Sequence, residues 1–183
     1  MVGTNLTMGI IKLKPQSPHL AARASGMGPS PLPGDRHRAY LLPGQFHVSA
    51  EPCQIKTILG SCVSICLWDA RRAAGGMNHF LLPSSREGQP SLRFADVATI
   101  ALLEKLLWVG CRVENLTAKV FGGAAIFQNQ NRYAASLGAR NVAAALQLLK
   151  NAGIPVVAQQ TGGSHGRKLI FNTDDGAAWS KRV

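Results

Sequence analysis

A cysteine and a histidine seventeen residues apart carry the strongest chemical signal in this sequence. Cys62 follows Gly60 and Ser61, so the backbone can bend sharply there and leave N–H groups free to stabilise an oxyanion. A thiol reacts as its thiolate, and a neighbouring imidazole lowers the pKa of the thiol. His79 is the best candidate for that base, because it lies in the next apolar segment. The pair therefore indicates nucleophilic catalysis.

The other cysteines favour structural roles, and Cys62 itself has a structural alternative, since a free cysteine on an apolar strand often acts as a small hydrophobic residue. Cys66 could compete as the nucleophile on the same strand face. Four residues of strand span about 13 Å, too far for a disulfide to Cys62, so we expect Cys66 in the core. Cys53 and Cys111 are also predicted to be structural. The absence of a CxxC pair argues against a zinc site and a disulfide framework, and favours a reducing cytoplasm.

The alternation of side chains predicts that the two reactive residues lie on neighbouring strands. Residues 55–68 contain Val63, Ile65 and Leu67 at every second position, which is typical of a strand. A second apolar segment, residues 77–82, follows two glycines and stops at Pro83. We therefore predict a hairpin with its turn over residues 69–75.

Later segments predict two helices and several more strands. The first helix covers residues 95–109, with Ile100, Leu103 and Leu107 marking a buried face. The second covers residues 141–152, with Asn141 as a candidate cap. Further strands are predicted over residues 113–121, 156–158, 168–171 and 178–183, with glycine pairs at 122–123 and 162–163 read as turns. The fold class is α/β (α+β): a single layered domain of mixed β-sheets packed with two main helices.

Composition divides the chain into an arm and a domain. Residues 1–38 are basic and rich in proline, glycine and serine, so we predict a flexible arm before a domain over residues 39–183. The net charge is +11, but only 6% of residues are aromatic and no basic cluster is interleaved with them. A nucleic-acid-binding domain would need such a stacking surface, so an acidic protein partner is favoured instead. No apolar run is long enough for membrane insertion, and no signal peptide is predicted.

Several long motifs resemble one known family. They are TILGSCVSICLWD and GGMNHFLLP around the reactive pair, and then KVFGGAAIF, LGARNV, GIPVVAQQTGG and RKLIFNTDDG in the same order. Together with LLPGQFHVS near the start, this set resembles the chemoreceptor glutamine deamidase family CheD over residues 41–183. One departure is Gln159-Gln160, which replaces an acidic pair common in that family and puts an acid-dependent contact there in doubt.

The resemblance implies an activity and a set of catalytic residues. Members hydrolyse the side-chain amide of selected glutamines in methyl-accepting chemotaxis receptors, leaving glutamates. By resemblance, Cys62 is the nucleophile and His79 the histidine, with Thr57 or Ser61 as the third member. Backbone N–H groups near Gly60 and Ser61 would hold the oxyanion. No metal or organic cofactor is implied.

Two functions from different classes remain open. The first is an active cytoplasmic deamidase of chemoreceptors. The second is a chemotaxis adaptor that binds receptors or a CheC-like phosphatase, with its Cys–His pair idle. A basic nucleic-acid-binding domain is a third possibility, which steeply salt-dependent DNA binding would indicate.

Overall fold

A computed structural model describes residues 36–85, 90–125 and 132–183 of the protein. The arm predicted over residues 1–38 lies outside these residues except for its last three. The first strand begins at His37, two residues before the predicted start of the domain. Arg36, directly before that strand, forms an ion pair with Asp174 near the far end of the chain.

Within the described residues the strands form two sheets. One sheet has four strands in the order β1, β3, β8, β9, and the other has five in the order β2, β5, β4, β6, β7. The strands are β1 His37–Tyr40, β2 Gln45–Ser49, β3 Cys53–Leu59, β4 Val63–Asp69, β5 Ala74–His79, β6 Leu116–Gly122, β7 Val156–Thr161, β8 Arg167–Asn172 and β9 Ala178–Arg182. Parallel pairs, β1 with β3 and β6 with β7, occur beside antiparallel ones, so both sheets are mixed.

The five-stranded sheet is the middle layer of the domain. Its outer face packs against the helices α1 Ala95–Trp108 and α2 Arg132–Asn151, while its inner face packs against the four-stranded sheet. Two neighbouring glycines on β5 mark the two faces: a side chain on Gly76 would meet Leu102 of α1, and one on Gly75 would meet Phe171 of β8. The predicted fold class, a single α+β domain of mixed sheets with two helices, is therefore confirmed.

The chain crosses between the two sheets at the predicted nucleophile. The sequence pattern predicts one strand over residues 55–68, and this is wrong: β3 ends at Leu59 and β4 begins at Val63 in the other sheet. The three residues between them, including Cys62, make the crossing. The predicted hairpin is confirmed, since β4 and β5 pair in antiparallel fashion across a turn over residues 70–73.

The buried face of α1 differs from the predicted one. Ile100 and Leu107 are 54% and 45% exposed, whereas Ala98, Leu102 and Leu106 are buried against the sheet. Because apolar residues occur around most of this helix, their spacing does not identify the buried side, and packing decides it. None of the described helices is both long enough and apolar enough to cross a membrane.

Candidate active site

Cys62 and His79 lie on the same face of the five-stranded sheet. The backbone groups of Val63 and Phe80 exchange hydrogen bonds of 3.1 and 3.0 Å, which extends the hairpin beyond the end of β5. This register places Ser64 opposite His79 and Cys62 at the neighbouring diagonal position, where side chains are within reach of each other. Alternation along β5 puts His79 on the same side as Met77, which is buried between the two sheets. The two residues thus occupy neighbouring positions on this face, and no hydrogen bond joins Cys62 Sγ to His79 Nε2 in the described structure. Their catalytic pairing stays a prediction.

Thr57 connects the histidine to the other sheet. Its Oγ1 lies 2.8 Å from His79 Nδ1 and donates a hydrogen bond of 2.8 Å to the carbonyl oxygen of Leu41. A hydroxyl has one proton, so the Thr57 oxygen must accept from Nδ1–H if its own proton goes to Leu41. This assigns the proton of the neutral imidazole to Nδ1 and leaves the lone pair on Nε2. Nε2 is buried and has no hydrogen-bond partner within the described ranges.

Burial favours the neutral form of both reactive groups. It lowers the pKa of His79 to about 4, although the nearby Leu41 carbonyl partly opposes the shift. Burial also raises the pKa of the half-buried Cys62 thiol, against a smaller opposing effect of its own backbone N–H. At neutral pH the pair is therefore a thiol beside a neutral imidazole, in which Nε2 can accept the thiol proton as the sulfur attacks.

The buried imidazole predicts that the protein loses stability in mild acid. The pKa of His79 falls from 6.5 in the unfolded chain to about 4 in the fold, so the unfolded chain binds more protons between these values. The contribution of His79 to the free energy of unfolding is fully present above pH 6.5 and is lost as the pH falls towards 4. The loss from this group is up to about 3 kcal/mol. Urea unfolding across this range measures the effect. In the variant His79→Gln, the free energy of unfolding should change clearly less with pH over this range. An equal change in the variant would show that His79 is not the source of the acid sensitivity.

The backbone around Cys62 is fixed by hydrogen bonds to the carbonyl oxygens of Gly60 and Cys62. The N–H groups of Gly123 and Ala124 donate to the carbonyl oxygens of Cys62 and Gly60, both at 2.8 Å. A side chain on Gly122 would overlap the Cys62 carbonyl oxygen, and its φ of +109° also favours glycine. Within the described residues, no oxygen accepts from the N–H groups of Ser61 and Cys62, and the Cys62 N–H interacts with its own sulfur. These two donors are available to an oxyanion beside the Cys62 sulfur.

Asn141 is a site residue that sequence reasoning placed wrongly. It was predicted to cap the second helix, but α2 begins at Arg132 and Asn141 lies well inside it. Its buried Nδ2 donates to the carbonyl oxygens of Ser61 and Leu81, at 3.0 and 2.8 Å. The amide thereby ties the Cys62 segment to the residues that follow β5. Its position four residues before Ala145 and eight before Leu149, both buried, was the available signal that it faces the core.

Replacing Asn141 should disturb the Cys62 segment and the fold together. Asn141→Ala leaves two carbonyl groups without their donor, so we expect a loss of about 2 to 4 kcal/mol in the free energy of unfolding. Urea unfolding measures that loss, and the rate of Cys62 alkylation reports the loosened segment. Gln147→Ala is the matched control, because Gln147 lies on the exposed side of the same helix and bonds only Asn151 in the described structure. Equal stabilities of the two variants would contradict the role.

The fold and site define an α+β protein with a buried imidazole and a half-buried cysteine on one face of the five-stranded sheet. A family model described as CheD chemotactic sensory transduction matches residues 81–182. A probable chemoreceptor glutamine deamidase CheD 1 from Anaeromyxobacter dehalogenans is 48% identical over 167 residues, covering 91% of this chain and 96% of the relative. A probable chemoreceptor glutamine deamidase CheD from Trichlorobacter lovleyi is 47% identical over 138 residues, covering 75% and 85% of the two chains. The chain belongs to the CheD family.

Proposed function

We propose that this protein is a protein-glutamine deamidase that converts selected glutamine side chains of methyl-accepting chemotaxis receptors to glutamate and releases ammonia. The observation that carries the proposal is the chain of hydrogen bonds from Leu41 through Thr57 to His79, which leaves the buried Nε2 without a partner on the face that Cys62 shares. The names of the relatives supply the substrate class, since they are called probable chemoreceptor glutamine deamidases. With such a substrate, the location proposed for the reaction is the cytoplasm.

The first half of the proposed reaction forms a thioester. The Cys62 sulfur attacks the carboxamide carbon while its proton moves to His79 Nε2. The negative charge that develops on the carboxamide oxygen is stabilised by the N–H groups of Ser61 and Cys62, with Gly60 allowing the bend that presents them. The imidazolium then donates its proton to the amide nitrogen, and ammonia leaves.

The second half of the reaction hydrolyses the thioester. His79 Nε2 removes a proton from water, and the resulting hydroxide attacks the acyl carbon. The carbon–sulfur bond breaks, the thiol recovers its proton from the imidazolium, and glutamate is released. Throughout both steps Thr57 and the Leu41 carbonyl hold the ring by Nδ1, which also stabilises the imidazolium when it forms. The sequence of steps requires no metal or organic cofactor.

The charge of the protein suits an acidic partner. A chain with a net charge of +11 is attracted to an acidic protein surface, and this raises the rate of encounter more than the final affinity. A chemotaxis adaptor that binds receptors, or a CheC-like phosphatase, without catalysis would use the same attraction. Binding alone therefore does not separate the two functions, and chemical conversion does.

The deciding experiment incubates the purified protein with the cytoplasmic fragment of a chemoreceptor. Mass spectrometry should find glutamine converted to glutamate at particular positions, with one ammonia released for each conversion. Protein whose Cys62 has been alkylated with iodoacetamide is the control and should convert none. Receptor binding with no conversion would favour the adaptor and contradict the proposed activity.

A further inference from the structure

A polar cleft of about 380 Å³ opens beside the turn between β7 and β8. Its walls include the backbone of Gly162 and Gly163, and the side chains of Arg167 and Arg182. Gln160, Ser164 and Ser180 add further polar groups. The cleft is separate from the Cys62 and His79 pair, and none of the steps proposed above uses it.

Two arginines meet in this cleft. Arg167 and Arg182 are directly opposite each other on β8 and β9, so their side chains share one face of the sheet. Arg167 is only 9% exposed and donates to the carbonyl oxygens of Gln160 and Gly162. Burial, and then the charge of Arg182, lower the pKa of Arg167. Two guanidinium groups held together in this way repel each other and cost stability.

The described residues supply no carboxylate to offset this repulsion. Ion pairs within them join Arg36 to Asp174 and Asp175, and Arg112 to Glu114. No described carboxylate lies within 4.0 Å of Arg167 or Arg182. The carbonyl oxygens that accept from Arg167 are neutral, so neither arginine has a counter-charge among the described residues, and a bound anion would supply one.

The cleft lies close to the thiol. Arg167 pairs with Leu59 across β3 and β8, and the three residues from Leu59 to Cys62 span at most about 10 Å. Backbone hydrogen bonds also connect the two regions: Gly162 donates to Gly122 at 2.9 Å, and Gly123 donates to Cys62 at 2.8 Å. With about 5 Å between paired strands, the backbone of Arg167 lies at most about 15 Å from that of Cys62. One to two turns of an α-helix rise about 5 to 11 Å, which falls within this limit.

We propose that this cleft binds a carboxylate side chain of the protein substrate, one to two helical turns from the glutamine that occupies the Cys62 site. Two guanidinium groups facing one opening suit a carboxylate, which can accept from both. The cleft would thus select glutamines that have an acidic residue at the right distance. This selection rests on the proposed deamidation, whereas binding of the acidic segment does not.

Binding to labelled peptides tests the proposal without requiring turnover. The probes are two fluorescent helical peptides with one central glutamine, flanked one and two turns away by glutamate in one peptide and by glutamine in the other. Fluorescence anisotropy with the full-length protein should show about 5- to 10-fold tighter binding of the acidic peptide at low salt. Arg182→Gln should remove most of that preference. Gln160→Glu, which adds a carboxylate to the cleft, should reduce it without removing an arginine.

Lys181→Gln is the matched control, since it removes the same charge from the adjacent position on the opposite face of β9. It should keep the preference within about 2-fold, because only long-range attraction changes. Equal losses in the Lys181 and Arg182 variants, or no preference in the unchanged protein, would overturn the proposal. If the unchanged protein prefers the acidic peptide but converts neither peptide's glutamine, carboxylate binding by the cleft is supported and the proposed deamidase activity is contradicted.

Discussion

Cys62→Ala is expected to lower kcat/KM for deamidation by about 10⁴-fold or more, because the proposed covalent step uses the Cys62 sulfur as its nucleophile. Alanine cannot form the thioester, and the remaining N–H groups can only polarise the amide. The residue lies in the crossing between the two sheets, where it is half-buried and its carbonyl is already held by Gly123. The variant should therefore fold normally and bind receptor fragments as the unchanged protein does.

Ammonia release and receptor binding are measured side by side for this variant. Cys111→Ala is the control, since Cys111 is buried at the start of the segment after α1 and packs in the outer core. Its activity should remain within about 2-fold of the unchanged protein if its small cavity costs only stability. Ammonia release that survives Cys62→Ala would exclude Cys62 as the nucleophile, whereas loss of both activity and binding in this variant would indicate misfolding.

His79→Gln is expected to lower kcat by about 10³- to 10⁴-fold, with a smaller effect on receptor binding. A glutamine side chain can accept a hydrogen bond but cannot carry the thiol proton through the reaction. Both halves of the proposed mechanism pass a proton through Nε2, so both should slow. Single-turnover measurements separate them, because the first half releases ammonia and the second releases the glutamate product.

Thr57 provides a graded comparison for the same prediction. Thr57→Val removes the hydroxyl that joins Nδ1 to the Leu41 carbonyl, and we expect kcat to fall by about 10- to 100-fold because the ring loses its orientation. Thr57→Ser keeps the hydroxyl and should retain most of the activity. If the valine and serine variants lose equal activity, Thr57 acts through packing, and the proposed orientation of the ring is wrong.

The thiol and the imidazole are arranged at some cost to the fold. The inner face of the five-stranded sheet holds His79 Nε2 and Ser64 Oγ without hydrogen-bond partners among the described residues. Unpaired buried polar atoms lower stability, and the acid sensitivity predicted for His79 has the same origin. A substrate amide entering beside Cys62 would bring new polar groups to this face.

Local patterns in the sequence determined much of this molecule. Alternating apolar residues specify β4, and the second apolar segment, which stops at Pro83, indicates that β5 returns beside it. Within a hairpin, side-chain alternation leaves only two arrangements of Cys62 and His79, on one face or on opposite faces. The register observed between β4 and β5 selects the first. The motifs around these residues were also enough to indicate the family, which the comparisons confirm.

Tertiary structure alone decided which distant groups meet at the site. Thr57 reaches His79 only because the chain changes sheets between β3 and β4, and that crossing is hidden inside one continuous alternating pattern. Asn141 reaches Ser61 from 80 residues away, and Arg167 meets Arg182 across two strands. Contacts between layers depend on how whole sheets and helices pack. Periodicity indicates the buried side of a strongly alternating strand, but it failed for α1, and it carries no record of the partner on the other side.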